Sequence, residues 1–203
     1  MSQPDAVVFD LGKVLVDFDY SIAARRIASQ SARSAAEVLT FIDQAPLLFR
    51  YETGKLTRHE FFAEVVQVSG FRGTLAEFSS FFADIFTPIE EMVALHAELR
   101  ASRVPTFIFS NTNDLAVEHI RSRFPFFSRF DAYVLSYEEG SMKPQAPLYE
   151  AVERVTGRRS GQIAYLDDRP ENIEAGRERG WHAILHEEPA RSRAALRALG
   201  LVQ

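Results

Sequence analysis

The 203-residue chain contains no cysteine. That absence excludes disulfides, thiolate metal sites and cysteine nucleophiles. Long apolar runs are also lacking: nothing approaches the roughly 18 residues that a membrane-spanning helix needs. The opening Met1-Ser2-Gln3-Pro4-Asp5 has neither the basic nor the apolar region of a secretory signal. There is no surplus of positive charge. Lys and Arg number 23 against 28 Asp and Glu, for a net charge of -5, which gives no electrostatic case for nucleic acid or an anionic membrane. Internal repeats and low-complexity linkers are missing too. What remains is the expectation of a cytoplasmic enzyme or binding protein with one large domain, or one domain with an insert. A hydrophobic content of 46% over this length suffices for a sizeable core.

The hydrophobic residues fall into two textures. Short apolar runs bounded by turn signals occur at residues 6–9, 104–109, 131–135, 162–166 and 181–185. Runs apolar on both faces suit buried parallel strands. Helical periodicity lies between the later runs. Residues 89–99 place apolar side chains at i, i+3 and i+4, and Leu148, Ala151, Val152 and Val155 do the same before Gly157, a helix-ending residue. This alternation predicts an α/β fold with a three-layer, Rossmann-like parallel sheet. Residues 17–88 contain no clear strand run and four helical patterns, at 21–31, 35–44, 57–69 and 74–86. Thr57-Arg58-His59-Glu60 is a capping box. Phenylalanines 61, 62, 71, 78, 81, 82 and 86 read as a helical core. The expected division is a hydrolase-like core of residues 1–16 and 89–203, with residues 17–88 as an inserted all-helical cap. The tail 191–199 reads as a final amphipathic helix packed on the core.

Polar residues with chemical potential stand where the strand runs end. Asp10 follows Ala6-Val7-Val8-Phe9, Ser110-Asn111-Thr112-Asn113 follows Thr106 to Phe109, and Asp167-Asp168 follows Ile163 to Leu166. Lys143-Pro144 follows a glycine turn. Open parallel sheets bind ligands beyond the carboxyl ends of their strands, so the fold can gather these stations in one place. A carboxylate, a hydroxyl, an ammonium and an acidic pair are the parts of magnesium-assisted phosphoryl transfer. Asp10 and Asp168 can share one hard divalent cation, and Asp10 can attack phosphorus through its other oxygen. Lys143 would offset the clustered negative charge, and Ser110 with the neighbouring backbone N–H would hydrogen-bond phosphoryl oxygens. Each piece also has a plainer reading. Asp10 can be a turn residue, Ser110 to Asn113 a helix cap, Lys143 a solvated lysine, and Asp167 to Asn172 a capped turn into a helix.

Together these residues resemble the haloacid dehalogenase-like hydrolase superfamily, over essentially the whole chain. Its first motif resembles Phe9-Asp10-Leu11-Gly12-Lys13-Val14-Leu15, and its second Ser110-Asn111. The third resembles Lys143-Pro144, and the fourth Leu166-Asp167-Asp168 with Asn172 and Gly176 behind. Residues 51–57 with Glu60-Phe61 are similar to a common stretch of the family's small helical caps. The second and fourth motifs look closest to bacterial sugar-1-phosphate phosphatases. The resemblance implies a magnesium-dependent phosphatase of a small phosphorylated metabolite, possible sugar 1-phosphates among them, acting through an aspartyl-phosphate. It implies Asp10 as nucleophile and metal ligand, Asp168 and the Gly12 carbonyl as further ligands, and Asp167 behind them. It implies that Ser110 and Asn111 hold the phosphoryl group, that Lys143 bridges nucleophile and phosphate, and that Asn172 orients the site.

Gly12 departs from the pattern. Most family phosphatases carry an aspartate there, which protonates the leaving group and then activates water. General acid–base catalysis is worth roughly 10²–10⁴-fold, so the loss needs an explanation. Three are open: a leaving group that needs little protonation, a proton from the cap (Asp17 and Asp19 being nearest in sequence), or a water in the space Gly12 leaves. On this reading Gly12→Asp should raise turnover of esters with poor leaving groups. Asp17 and Asp19 read more simply as hinge and helix-cap residues. Arg50 and Glu52 lie in the cap stretch and can face substrate, but read more simply as surface residues; Arg169 reads as a partner of the acidic pair or of substrate, and Trp181 and the five histidines as packing or surface residues. The competing activities are a 2-haloacid dehalogenase-type hydrolase, a receiver-like phosphoacceptor and a catalytically silent phosphate-binding protein. An acidic pair suits a cation better than a halide, and a receiver would carry its acidic pair first and no cap.

Overall fold

The computed structural model describes residues 3–43 and 45–203. Met1 and Ser2, which open the expected core segment, and Gln44, the end of the expected helix 35–44, lie outside the described residues. The elements in chain order are β1 (Ala6–Phe9), β2 (Val16–Phe18), α1 (Tyr20–Ala28), α2 (Ala35–Ile42), α3 (Pro46–Glu52), α4 (Arg58–Ser69), α5 (Leu75–Ala83) and β3 (Phe86–Pro88). They continue with α6 (Glu90–Ala101), β4 (Thr106–Ser110), α7 (Asp114–Arg123), β5 (Ala132–Leu135), α8 (Ser136–Glu139) and α9 (Ala146–Thr156). The last are β6 (Ile163–Asp167), α10 (Pro170–Glu178), β7 (His182–Leu185) and α11 (Pro189–Ala198).

Five strands form one parallel sheet in the order β5-β4-β1-β6-β7. All five predicted strand runs are in it, each shifted by no more than two residues. Side-chain alternation along β1 divides the core. Val7 and Phe9 pack on one face with Met92, Leu95 and Leu99 of α6, Val117 of α7 and Leu196 of α11. Ala6 and Val8 pack on the other face with Leu148, Tyr149 and Val152 of α9 and Ile173 of α10. The result is the expected helix–sheet–helix sandwich. His96 is enclosed in it beside Thr106, and Trp181 packs against the second face, so both are packing residues. Leu196 seats the predicted C-terminal helix on the core.

Helices α1 to α5 lie between two short strands, β2 and β3, which pair antiparallel as a ribbon. Ser34, Thr57 and Thr74 start α2, α4 and α5 with complete capping boxes. Phe61, Phe71, Phe78 and Phe82 are the buried centre of this helical unit, with Phe62, Phe81 and Phe86 packed around them. The ribbon, α3 and α8 were not expected. Three-residue strands carry no measurable period, and α3 begins at Ala45-Pro46 without a side-chain cap, so only its proline marks it. Among the described residues no helix is long and apolar enough to cross a membrane.

Candidate active site

Strand register sets the level of the polar residues. Phe9 pairs with Ile108 on one side and Leu166 on the other. One step further, Asp10 therefore stands level with Phe109 and Asp167, and Ser110 ends β4 next to it. The Asp10 N–H donates to the Leu166 carbonyl at 2.8 Å, which fixes the backbone there.

Lys143 joins the stations. Its buried Nζ donates to Asp10 Oδ1 at 2.9 Å, to Asp167 Oδ2 at 2.7 Å and to the Phe109 carbonyl at 3.0 Å. Burial pulls the ammonium's pKa down, but Asp10 and Asp167 outweigh it and hold the pKa above its ordinary value. Lys143 is thus a buried cation and not a solvated one. The Lys143–Pro144 peptide is cis.

Asp167 is fully engaged. Oδ2 accepts from Lys143 and from Tyr165 at 2.5 Å, and Oδ1 accepts from the Arg169 N–H at 2.8 Å and from Asn172 Nδ2 at 2.9 Å. Burial opposes its ionisation, but these donors win, and its pKa lies below the usual carboxylate range. Tyr165 was not singled out from sequence. Its place two residues before Asp167 on one strand, hence on the same face, was the available signal. Asp10 fares differently. Burial pushes its pKa well up, Lys143 pulls it down, and Asp167 and Asp168 push it up again. Burial and then Asp167 likewise raise Asp168. Three carboxylates crowd one ammonium, each offering an oxygen within 4.8 Å of the others. Hard oxygen donors carrying uncompensated charge fit a magnesium-sized divalent cation. Asp167 has its lone pairs committed, so Asp10 and Asp168 are the members able to ligate directly.

The loop after β4 is built to hold its shape. Asn111 Oδ1 accepts from the Lys143 N–H at 2.7 Å, and its Nδ2 donates to the Lys143 carbonyl at 3.1 Å. Its side chain is spent on tying two loops together. Ser136 braces the neighbouring Thr112 from both sides, at 2.9 and 3.1 Å. Asn113 caps α7 by accepting from the Ala116 N–H at 3.0 Å.

A cavity of about 460 Å³ opens above these residues and reaches the helical unit, a size suited to a small metabolite. Asp10, Gly12, Ser110, Lys143, Asp168 and Asn172 line its floor. Asp19, Tyr20, Asp43, Phe49 and Glu52 line its wall. Glu52 therefore faces the cavity and not the surface, whereas Arg50 is exposed and paired with Glu64. Asp17 pairs with Lys13, and Asp19 caps α1 through Ser21. Arg169 lines the rim, its guanidinium paired with Glu171 at 2.6 Å.

An aromatic ring stands beside Gly12. A Cβ on Gly12 would lie 2.8 Å from Phe18 Cε1. The ring of Phe18 is packed on Tyr20 and Phe86 and lies under the Lys13 ammonium. An aspartate at position 12 therefore needs the Phe18 ring to shift, a cost set against the gain in turnover expected of Gly12→Asp. Gly12→Asp is expected to destabilise the fold by about 1–3 kcal/mol through overpacking. Adding Phe18→Ala should recover part of that loss. Denaturant unfolding of the single and double variants checks it, and a single variant as stable as the parent would contradict it.

Comparison with known proteins agrees with this fold. The family model described as haloacid dehalogenase-like hydrolase matches residues 4–180. A curated relative, D-ribitol-5-phosphate phosphatase of Bacteroides thetaiotaomicron, is 25% identical over 191 residues, covering 91% of this chain and 92% of that one. The crystal structure of a HAD family enzyme from Bacteroides thetaiotaomicron superposes with a TM-score of 0.83 at 20% identity, covering 92% of this chain and 95% of that one. A wild-type HAD family enzyme from the same organism, solved with magnesium and inorganic phosphate, gives 0.79 at 19% identity, covering 91% and 94%.

Proposed function

The chain belongs to the haloacid dehalogenase-like hydrolases, and from that premise we propose that it is a magnesium-dependent phosphatase of small sugar or polyol phosphates. The observation that carries the reading is Lys143, buried between Asp10 and Asp167 within a cluster of three carboxylates. A phosphoryl group brought to this cluster would meet an oxygen nucleophile, an ammonium and the N–H groups of the Ser110–Asn111 loop together. Asp10 attacks phosphorus, the bond to the alcohol oxygen breaks, and an aspartyl-phosphate forms. Water then attacks that phosphorus, the bond to Asp10 breaks, and inorganic phosphate leaves. Lys143 and the Ser110 hydroxyl hold the phosphoryl oxygens through both steps. Asn111 positions Lys143, and Asn172 positions Asp167. Magnesium held by Asp10, Asp168 and the Gly12 carbonyl would neutralise phosphoryl charge as a Lewis acid.

The alcohol half of the substrate faces Asp19, Asp43 and Glu52, carboxylates able to accept from several hydroxyls, among the aromatic walls of Tyr20 and Phe49. That lining supports a hydroxylated alcohol, in keeping with the name of the curated relative. Sugar 1-phosphates satisfy the same chemistry and belong in the test. Phosphate release is measured from ribitol 5-phosphate, sugar 1-phosphates, acetyl phosphate and p-nitrophenyl phosphate, with magnesium and with EDTA. Release that depends on magnesium and favours the hydroxylated esters supports the proposal. Chloride release from 2-chloropropionate without metal, or no phosphate from any ester, overturns it.

A further inference from the structure

Gly12 supplies no carboxyl two residues after Asp10, and the Phe18 ring stands 2.8 Å from where a Cβ on Gly12 would be. The cap side of the same cavity offers a carboxyl. Glu52 is the last residue of α3 and half-buried in the cavity wall. A glutamate at the C-terminal end of a helix gains nothing from the helix dipole. Its location is fixed from both sides. Tyr51 donates to Asp114 at the start of α7, and Arg58 binds Asp114 at 2.6 Å and Glu118 at 2.7 Å. Gly54 lies so close to α8, with φ +66°, that a Cβ would run into the Tyr137 carbonyl oxygen. Leu115 of α7 packs into the cap's own core. The turn carrying Glu52 is therefore clamped onto the core directly above the Ser110–Asn113 loop.

Asn113 supplies the second observation. Its Oδ1 is committed to capping α7, which fixes the orientation of the amide. The residue is wholly buried, and its Nδ2 faces no acceptor among the described residues other than the Glu52 carboxyl. That amide faces the Glu52 carboxyl closely enough to favour its ionised form. A buried donor without an acceptor is costly. The Glu52 carboxyl is the acceptor placed to satisfy it, which holds that carboxyl at this point of the cavity wall.

Resting on the phosphatase reading, we propose that Glu52 is the general acid and base of the reaction, taking the role that Gly12 cannot fill. In the first step Asp10 bonds to phosphorus while the bond to the alcohol oxygen breaks, and the Glu52 carboxyl gives its proton to that oxygen. In the second the Glu52 carboxylate takes a proton from the attacking water as the phosphorus bond to Asp10 breaks, which restores the carboxyl. Neither oxidant nor co-reactant is needed.

The protonation state suits the task. Burial, with Asp43 adding to it and Asn113 opposing, pushes Glu52 up to about 7. Asp43, Tyr20, Asp19, Lys13 and Arg169 share the wall and rim of the cavity with it, and Asp10, Lys143 and Asp168 lie on its floor. A pKa near working pH is the optimum for a group that must both give and take a proton.

The test uses the full-length protein with magnesium and compares ribitol 5-phosphate, whose alkoxide leaves poorly, with p-nitrophenyl phosphate, whose phenolate leaves readily. Glu52→Gln is expected to lower kcat/KM for the alkyl ester by roughly 10²–10⁴-fold. The first burst of p-nitrophenol should change far less. The fall in alkyl-ester activity as pH rises through about 7 should vanish in Glu52→Gln and survive, shifted, in Glu52→Asp. Should Glu52→Gln fail to fold, the wild type still decides: its dependence on leaving group must be shallow below pH 7 and steep well above it. Equal losses on both esters, an unchanged pH limb, or a wild-type leaving-group dependence indifferent to pH would overturn the role of Glu52. A wild type that releases no phosphate at all would instead remove the phosphatase reading beneath it.

Discussion

Asp10→Asn is expected to lower kcat for phosphate release by at least about 10⁴-fold, which corresponds to about 5 kcal/mol on the barrier. An amide oxygen is a poor nucleophile, so the covalent route closes, and what remains is direct attack by water on a held ester. The loss should not come from unfolding. Asn matches Asp in shape, and its Oδ1 can still accept from the Leu11 N–H at 2.7 Å and from Lys143 at 2.9 Å. The substitution also removes one of three carboxylates competing for a single ammonium, and like charges in a buried cluster oppose one another. The variant should therefore be no less stable than the parent when both are measured in EDTA. Phosphate release and thermal unfolding, run side by side, separate chemistry from folding. Turnover within tenfold of the parent would sink the nucleophile assignment.

Much of the floor of this site was readable from residue order, because parallel sheets deliver strand ends to one edge. Asp10, Ser110 and Asp167 each close an apolar run, and the pairing of Phe9 with Ile108 and Leu166 then leaves little freedom in where they meet. Four of the five helices between β2 and β3 were readable from periodicity, capping residues and phenylalanines, and α3 was not. What could not be read depends on contacts between parts distant in sequence. Phe18 belongs to a strand of three residues whose position is set by pairing with Phe86–Pro88, so its place beside Gly12 leaves no local trace. Glu52 faces the cavity because Gly54, Tyr51 and Arg58 dock the cap onto α7 and α8. A local reading of charged residues in an exposed-looking turn assigns them to the surface, which holds for Arg50 and not for its neighbour two positions on. Asn111 shows the same limit in miniature. Its type suits a phosphate contact, yet both ends of its amide are taken by the backbone of Lys143.

Lys143→Met should cost both activity and stability, and the two losses should respond differently to conditions. The ammonium touches Asp10, Asp167 and the Phe109 carbonyl from a nearly water-free position. Losing a preorganised charge of this kind at the reacting group is worth roughly 10²–10³-fold in kcat. Removing one partner of a buried ion pair destabilises by about 3–5 kcal/mol, because the other partner is left charged and uncompensated. The sign of the pH dependence follows from Asp167. Its pKa is depressed in the folded protein, so it contributes stability above the ordinary carboxylate range that is lost as pH falls through its folded pKa. Without Lys143 that depression is lost and the carboxylates protonate more readily in the folded state. The stability gap between parent and variant should therefore be widest at neutral pH and shrink in mild acid, when measured by denaturant unfolding in EDTA. A gap independent of pH would mean that Lys143 acts by packing and not by charge. Magnesium supplies the complementary check. A divalent cation entering the variant meets the same three carboxylates without a competing ammonium, so it should raise the melting temperature of Lys143→Met by more than that of the parent. If magnesium stabilises the parent more, the lysine and the cation are partners in one site and not rivals for its charge.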